Sequence, residues 1–112
     1  QVGDASITGI PGELYPEIAV GGIENPVGAD YVMAPQEVPP LRSQFPGKLN
    51  LMVNLANDSI GYIIPKSEWD EDAPWIYGEN EETYGEVVSL GPNTAPIIYE
   101  NLVKLIEESK TK

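Results

Sequence analysis

The chain has 112 residues, of which 41% are hydrophobic, and its 18 acidic and 6 basic residues give a net charge of −12. It contains neither cysteine nor histidine, which excludes disulfides, thiol chemistry, a His-based triad and a self-contained zinc site with histidine ligands. The acidic balance argues against nucleic acid and anionic membranes as partners, and no apolar run approaches the roughly 18 residues of a membrane span. We expect one domain, residues 1–112, with a modest core.

The first predicted strand covers residues 5–10 and is rich in β-branched residues, which favour a pleated surface. The Pro-Gly pair at 11–12 ends it, because proline cannot donate to a central ladder and glycine weakens a strand. Glu13 then lies just beyond the strand end, where open α/β sheets commonly hold their sites. An exposed glutamate in a turn is the simpler interpretation.

The segment that follows, up to residue 48, is rich in proline. It predicts a short helix from Pro16 to Val20 and otherwise long irregular loops. Residues 48–56 then alternate at period two, which predicts a strand beside the first one. The segment Asn57-Asp58-Ser59 predicts a turn, and Tyr62 follows it.

Residues 66–92 are acidic and aromatic. Eight of the 18 acidic residues lie between Glu68 and Glu86, with no Lys or Arg among them. A solvated loop is one interpretation, held to the domain by aromatic anchors at Trp69, Trp75, Tyr77 and Tyr84. A calcium site is a second, because hard cations take oxygen ligands, although the spacing does not match an EF-hand. A surface for a sugar or an amphiphile is a third.

A capped amphipathic helix is predicted over residues 94–109. Asn93 or Thr94 would cap it, and Pro96 lies in its first turn. Its apolar stripe is Ile98, Leu102, Leu105 and Ile106. The predicted fold is therefore α/β: a small mixed β-sheet with this C-terminal helix packed on one face and long Pro/Gly-rich loops.

Three segments occur in a fixed order: "PGE" at 11–13, "NLANDSIGYIIP" at 54–65 and "YGEVVSLGPNTAPIIYENL" at 84–102. Together they resemble the later part of the catalytic domain in the neutral/alkaline ceramidase family. The resemblance implies that Glu13 and Tyr62 are zinc ligands and that two histidine ligands lie far upstream. It also implies a catalytic role for Tyr62, whose hydroxyl can bind the developing oxyanion, and substrate contacts at Asn57 and Asp58.

The same resemblance implies that the chain is the C-terminal fragment of a larger ceramidase-like catalytic domain. That domain would hydrolyse a lipid amide or N-acyl amide with zinc, at a secreted, periplasmic or cell-surface location. Its partner would be the upstream part of the same polypeptide, without which the fragment is inactive. In the family, Pro-Gly-Glu is usually followed by a helix that a small-residue and Arg-rich segment opens. Here "LYPEIAVGG" and a Pro-rich stretch stand in its place, so no substrate contacts are carried over from there.

A different class of function stays open from the residues alone. The chain would then be a non-catalytic binding or packing module, whose acidic, aromatic loop contacts a sugar, a peptide or a partner domain. Histidine-bearing strand ends in the upstream sequence would favour the hydrolase, and their absence would favour the module.

Overall fold

The strands form two parallel pairs in the computed structural model, which describes residues 2–112. Strand β1 (Ala5–Gly9) pairs with β3 (Leu49–Val53), and β2 (Glu13–Leu14) pairs with β4 (Tyr62–Ile63). The first pairing confirms that the two predicted strands are neighbours. The second pair was not predicted, because two-residue strands carry no period-two signal.

The Pro-Gly segment joins the two pairs instead of leading into a free turn. The amide of Ile10 donates to the Val53 carbonyl, and the amide of Ile60 donates to the Pro11 carbonyl, both at 2.9 Å. Gly12 is buried, and a Cβ atom there would lie 2.5 Å from the Gly61 carbonyl oxygen. Glycine is therefore required at 12, because any side chain would push the two backbones apart.

The helices are α1 (Pro16–Val20), α2 (Tyr84–Val87) and α3 (Thr94–Lys110). Three short 3₁₀ turns lie between them, at Leu41–Gln44, Lys66–Glu68 and Ile76–Gly78. The predicted short helix and the predicted C-terminal helix are both confirmed, and the α/β class with them. Among residues 2–112, no helix is long and apolar enough to cross a membrane.

Helix α3 packs against the strands through a stripe that differs from the predicted one. Its buried residues are Ala95, Tyr99, Leu102 and Ile106, which join Ile10, Leu14, Ile18, Leu41 and Ile63 in the core. Leu105 was expected in this stripe but is 61% exposed. Tyr99 is buried instead, because its ring fills the core while its hydroxyl donates to the Pro39 carbonyl at 2.7 Å.

The predicted side-chain cap of α3 is wrong. Asn93 occupies the N-cap position, but the structure shows no hydrogen bond from its side chain to the helix amides. The Asn93 amide oxygen instead accepts a hydrogen bond from the Lys66 ammonium at 2.9 Å. This contact ties the start of α3 to the segment after β4.

The sheet formed by β1 and β3 exposes its more apolar face. Leu49, Leu51 and Val53 are 56%, 48% and 47% exposed, and Ile7 on the neighbouring strand is 62% exposed. The alternate residues of β3, Asn50 and Met52, are half-buried, and Met52 packs against the core. Parallel strands are usually covered on both faces, so this outer face is unusual for a parallel sheet.

Replacing Ile106 by alanine should lower the free energy of unfolding by about 2–5 kcal/mol, because a fully packed side chain is removed from the core. Leu105→Ala is the matched control on the same helix, and it should change stability by less than about 0.5 kcal/mol. Denaturant unfolding monitored by circular dichroism measures both. Equal losses in the two variants would contradict the observed orientation of α3.

Candidate functional site

Glu13 and Tyr62 lie directly opposite each other in the β2–β4 pair. The Glu13 amide donates to the Gly61 carbonyl at 2.9 Å, and the Tyr62 amide donates to the Val88 carbonyl at 3.1 Å. Both side chains are half-buried. The charge of Glu13 raises the pKa of the Tyr62 hydroxyl, with further contributions from desolvation and hydrogen bonding to Glu13. The Glu13 carboxylate and the Tyr62 phenol are thus coupled electrostatically, although 48 residues separate them in the chain.

Two further tyrosines, which were not predicted as site residues, flank Tyr62. The rings of Tyr15 and Tyr84 meet the Tyr62 ring edge-on, with centroid distances of 6.2 and 6.0 Å. Burial, and then the charge of Glu86, raises the pKa of Tyr15 to about 12. Tyr15 follows Glu13 at period two, so its place on the same face was a usable signal. The position of Tyr84 depends on tertiary structure alone.

Asn57 and Asp58, the predicted substrate contacts, lie in an exposed turn after β3. The Asp58 carboxylate accepts a hydrogen bond from the Ser59 amide at 2.8 Å. Within residues 2–112, neither side chain is recorded in a hydrogen bond with Glu13 or Tyr62. The structure therefore brings the two predicted metal ligands together and leaves the turn side chains in solvent.

Aromatic residues of the acidic loop have unequal roles. Trp69 is buried at 3% exposure and Trp75 is half-buried, whereas Tyr77 and Tyr84 are 66% and 71% exposed. The Trp69 indole donates to the Glu71 carboxylate at 3.0 Å. Trp69 is thus the main apolar anchor of this loop.

Three carboxylates are buried near this loop: Glu37, Asp70 and Glu86. Burial raises the pKa of Glu86, and the charge of Asp70 raises it further. The salt bridges found in the described part of the chain are Lys48–Asp4 and Lys110–Glu107, which involve none of the three buried acids. Backbone amides are their recorded hydrogen-bond donors, apart from the Thr83 hydroxyl at Glu86.

Residues 2–112 contain no group of three or more acidic side chains arranged to hold a metal ion. Glu13 and Tyr62 supply two oxygen atoms, whereas a zinc site normally takes at least three protein ligands.

No protein-family model, curated protein or solved structure matches the chain. The likeness to the ceramidases stays a prediction from the three sequence segments.

Replacing Glu13 by glutamine should lower the pKa of Tyr62 towards the ordinary tyrosine value, because the charge that disfavours the phenolate is removed. The phenol carbon of labelled tyrosine, followed by NMR as the pH is raised, reports this ionisation. Glu17→Gln, on α1, is the matched control and should leave Tyr62 unchanged. An unaltered Tyr62 titration in the Glu13 variant would show that the two side chains do not interact in solution.

Proposed function

We propose that the chain is part of a zinc-dependent amide hydrolase resembling the neutral/alkaline ceramidases, to which it contributes Glu13 and Tyr62 as metal ligands. The observation that carries the proposal is the opposition of these two residues in the β2–β4 pair. A carboxylate is an ordinary zinc ligand, and a phenol oxygen beside it is a second donor that a cation can recruit. The order of the three sequence segments supports the same family.

The remaining ligands are proposed to come from the upstream part of the same polypeptide, since the chain has no histidine. The exposed apolar face of the β1–β3 sheet supports this arrangement. Ile7, Leu49, Leu51 and Val53 form a surface that a neighbouring structural layer would cover, as in other parallel sheets.

Glu13 and Tyr62 would help to hold a zinc ion, which would supply an activated water molecule and polarise the substrate carbonyl. A phenol is protonated at neutral pH, and the Glu13 charge raises the pKa of the Tyr62 hydroxyl further. That hydroxyl can donate a hydrogen bond to the amide oxygen as negative charge develops on it. The edge-on contacts of Tyr15 and Tyr84 with the Tyr62 ring would limit its rotation and so the directions in which the hydroxyl points.

An apolar groove next to β4 supports a lipid amide or N-acyl amide as the substrate class. The groove has a volume of about 330 Å³ and is lined by Ile60, Leu90, Gly91, Pro92, Asn93, Thr94, Ile97 and Ile98. Ile60 precedes Tyr62 by two residues, and Leu90 follows the Val88 carbonyl that binds the Tyr62 amide. The groove therefore borders the backbone on either side of Tyr62, and we place the acyl chain of the substrate there.

In the complete polypeptide, Glu13→Gln should abolish amide hydrolysis and lower zinc content, because a neutral amide is a poor zinc ligand. The melting temperature should change little, since the Glu13 side chain is only half-buried. Metal analysis, hydrolysis of an N-acyl amide and thermal unfolding measure the three effects. Glu100→Gln, on the exposed side of α3, is the matched control and should keep both zinc and activity. Full activity in the Glu13 variant would refute the proposed site.

Replacing Leu90 by aspartate should raise KM for long-chain N-acyl amides, because a charge is placed in the apolar groove. Short-chain N-acyl amides would fill little of the groove, so their KM should stay within about twofold of the wild-type value. Steady-state kinetics with acyl chains of increasing length provide the comparison. Equal KM changes for short and long chains would contradict an acyl-binding role for this groove.

A second candidate function is a non-catalytic packing module, and the exposed β1–β3 face is the observation that favours it. This module would contact a sugar, a peptide or a partner domain without chemistry at Glu13. Retention of partner binding in Glu13→Gln, together with an absence of hydrolysis in the wild-type polypeptide, would favour this candidate over the hydrolase.

A further inference from the structure

Asp70 has a fully buried carboxylate, and only one of its two oxygen atoms has a hydrogen-bond partner among the described residues. Its Oδ2 atom accepts a hydrogen bond from the Ile76 amide at 3.0 Å. Its Oδ1 atom is buried and has no hydrogen-bond partner among residues 2–112. An ionised carboxylate is costly to bury unless a cation, a proton or hydrogen-bond donors compensate each oxygen.

Further oxygen atoms lie at the backbone of Asp70. Glu86 is also buried, and its Oε1 atom accepts a hydrogen bond from the Asp70 amide at 3.2 Å. The Thr83 hydroxyl binds the other oxygen of Glu86 and lies 3.4 Å from the Asp70 carbonyl oxygen. Two carboxylates, a hydroxyl and a carbonyl thus meet at the two ends of the acidic loop.

No basic side chain is available from the loop itself, because residues 68–86 contain no Lys or Arg. Lys66 lies just before the loop, but its ammonium donates a hydrogen bond to the Asn93 side chain at 2.9 Å and lies over the Tyr31 ring. A bound cation or protons must therefore compensate the negative charge of Asp70 and Glu86.

We propose that Asp70, Thr83 and Glu86 bind a calcium ion, with the Asp70 carboxylate as the central ligand. All the donors are oxygen atoms, which favours a hard cation over zinc or copper. Calcium accepts six to eight oxygen ligands in flexible geometry, and water can complete a set that starts from two carboxylates. Magnesium is less suitable, because it demands near-ideal octahedral geometry. This site is separate from Glu13 and Tyr62 and does not depend on the proposed hydrolase.

Bound calcium would join the start of the loop to α2. Glu86 belongs to α2. This helix lies close against Tyr15, because a Cβ atom at Gly85 would be only 2.7 Å from the Tyr15 hydroxyl. The ion would therefore stabilise the loop and the folded chain together, because a ligand that binds only the folded state raises its stability.

Thermal unfolding of the chain in EDTA and in increasing calcium chloride at constant ionic strength tests the proposal. The melting temperature should rise with calcium and reach saturation. Terbium provides a direct probe, since Trp69 adjoins Asp70 and can sensitise terbium luminescence. That luminescence should appear on binding and be displaced by calcium. An unchanged melting temperature, or luminescence that calcium does not displace, would overturn the site.

Asp70→Asn and Glu86→Gln should each remove the calcium-dependent rise in melting temperature. Glu81→Gln is the matched control, because it removes the same charge from an exposed position in the same loop. It should keep the full rise. Asp70→Asn should remain folded in EDTA, since the substitution removes an unpaired buried charge, and circular dichroism checks this. Equal calcium responses in Asp70→Asn and Glu81→Gln would show that calcium raises the melting temperature by general charge screening, which would refute the proposal.

Discussion

The close approach of two backbones at Gly12 and Gly61 is the constraint on which the site geometry depends. Each position lacks a side chain, and the Gly61 carbonyl accepts the hydrogen bond of the Glu13 amide. A Cβ atom at Gly61 would lie only 1.7 Å from the Val88 carbonyl oxygen, so this strand is closely bordered on both edges. The register that opposes Glu13 to Tyr62 follows from these contacts, because a larger residue at either glycine would displace β2 or β4.

Buried carboxylates are the second feature that shapes the structure, around the acidic loop. A chain with net charge −12 would be expected to keep its carboxylates in water, yet Glu37, Asp70 and Glu86 are buried. A backbone amide donates to one oxygen of each of the three carboxylates, since loop segments without regular structure leave many amides free to donate. The acidic loop is thus organised around carboxylates as well as around the Trp69 ring, and this distinguishes it from a simple solvated loop.

Packing explains why the two faces of the β1–β3 sheet differ. Helix α3 covers one face through Leu102 and Ile106, and the structure shows no second helix of comparable length among residues 2–112 to cover the other. The exposed leucines of β3 are therefore a property of this chain taken alone. A further layer of polypeptide on that face would bury apolar area, and hydrophobic burial is the dominant favourable term in association as it is in folding.

Much of the fold was predictable from local signals. Period-two alternation located β3, proline at the first turn located α1, and an apolar period near 3.6 located α3, because each of these depends on neighbouring residues only. The sequence also determined that no thiol, no histidine and few cations are available for chemistry. Glu13 and Tyr62 were selected by resemblance to a family, since nothing local marks either residue as paired.

Tertiary structure alone decided the rest. The β2–β4 register, the edge-on contacts of Tyr84 with Tyr62, and the burial of Asp70 all join residues far apart in the chain, where no local pattern applies. The burial of Tyr99 in place of Leu105 likewise depends on which residues face α3. Local sequence specifies elements through short-range propensity, whereas the site arises from long-range contacts that are set only when the elements pack.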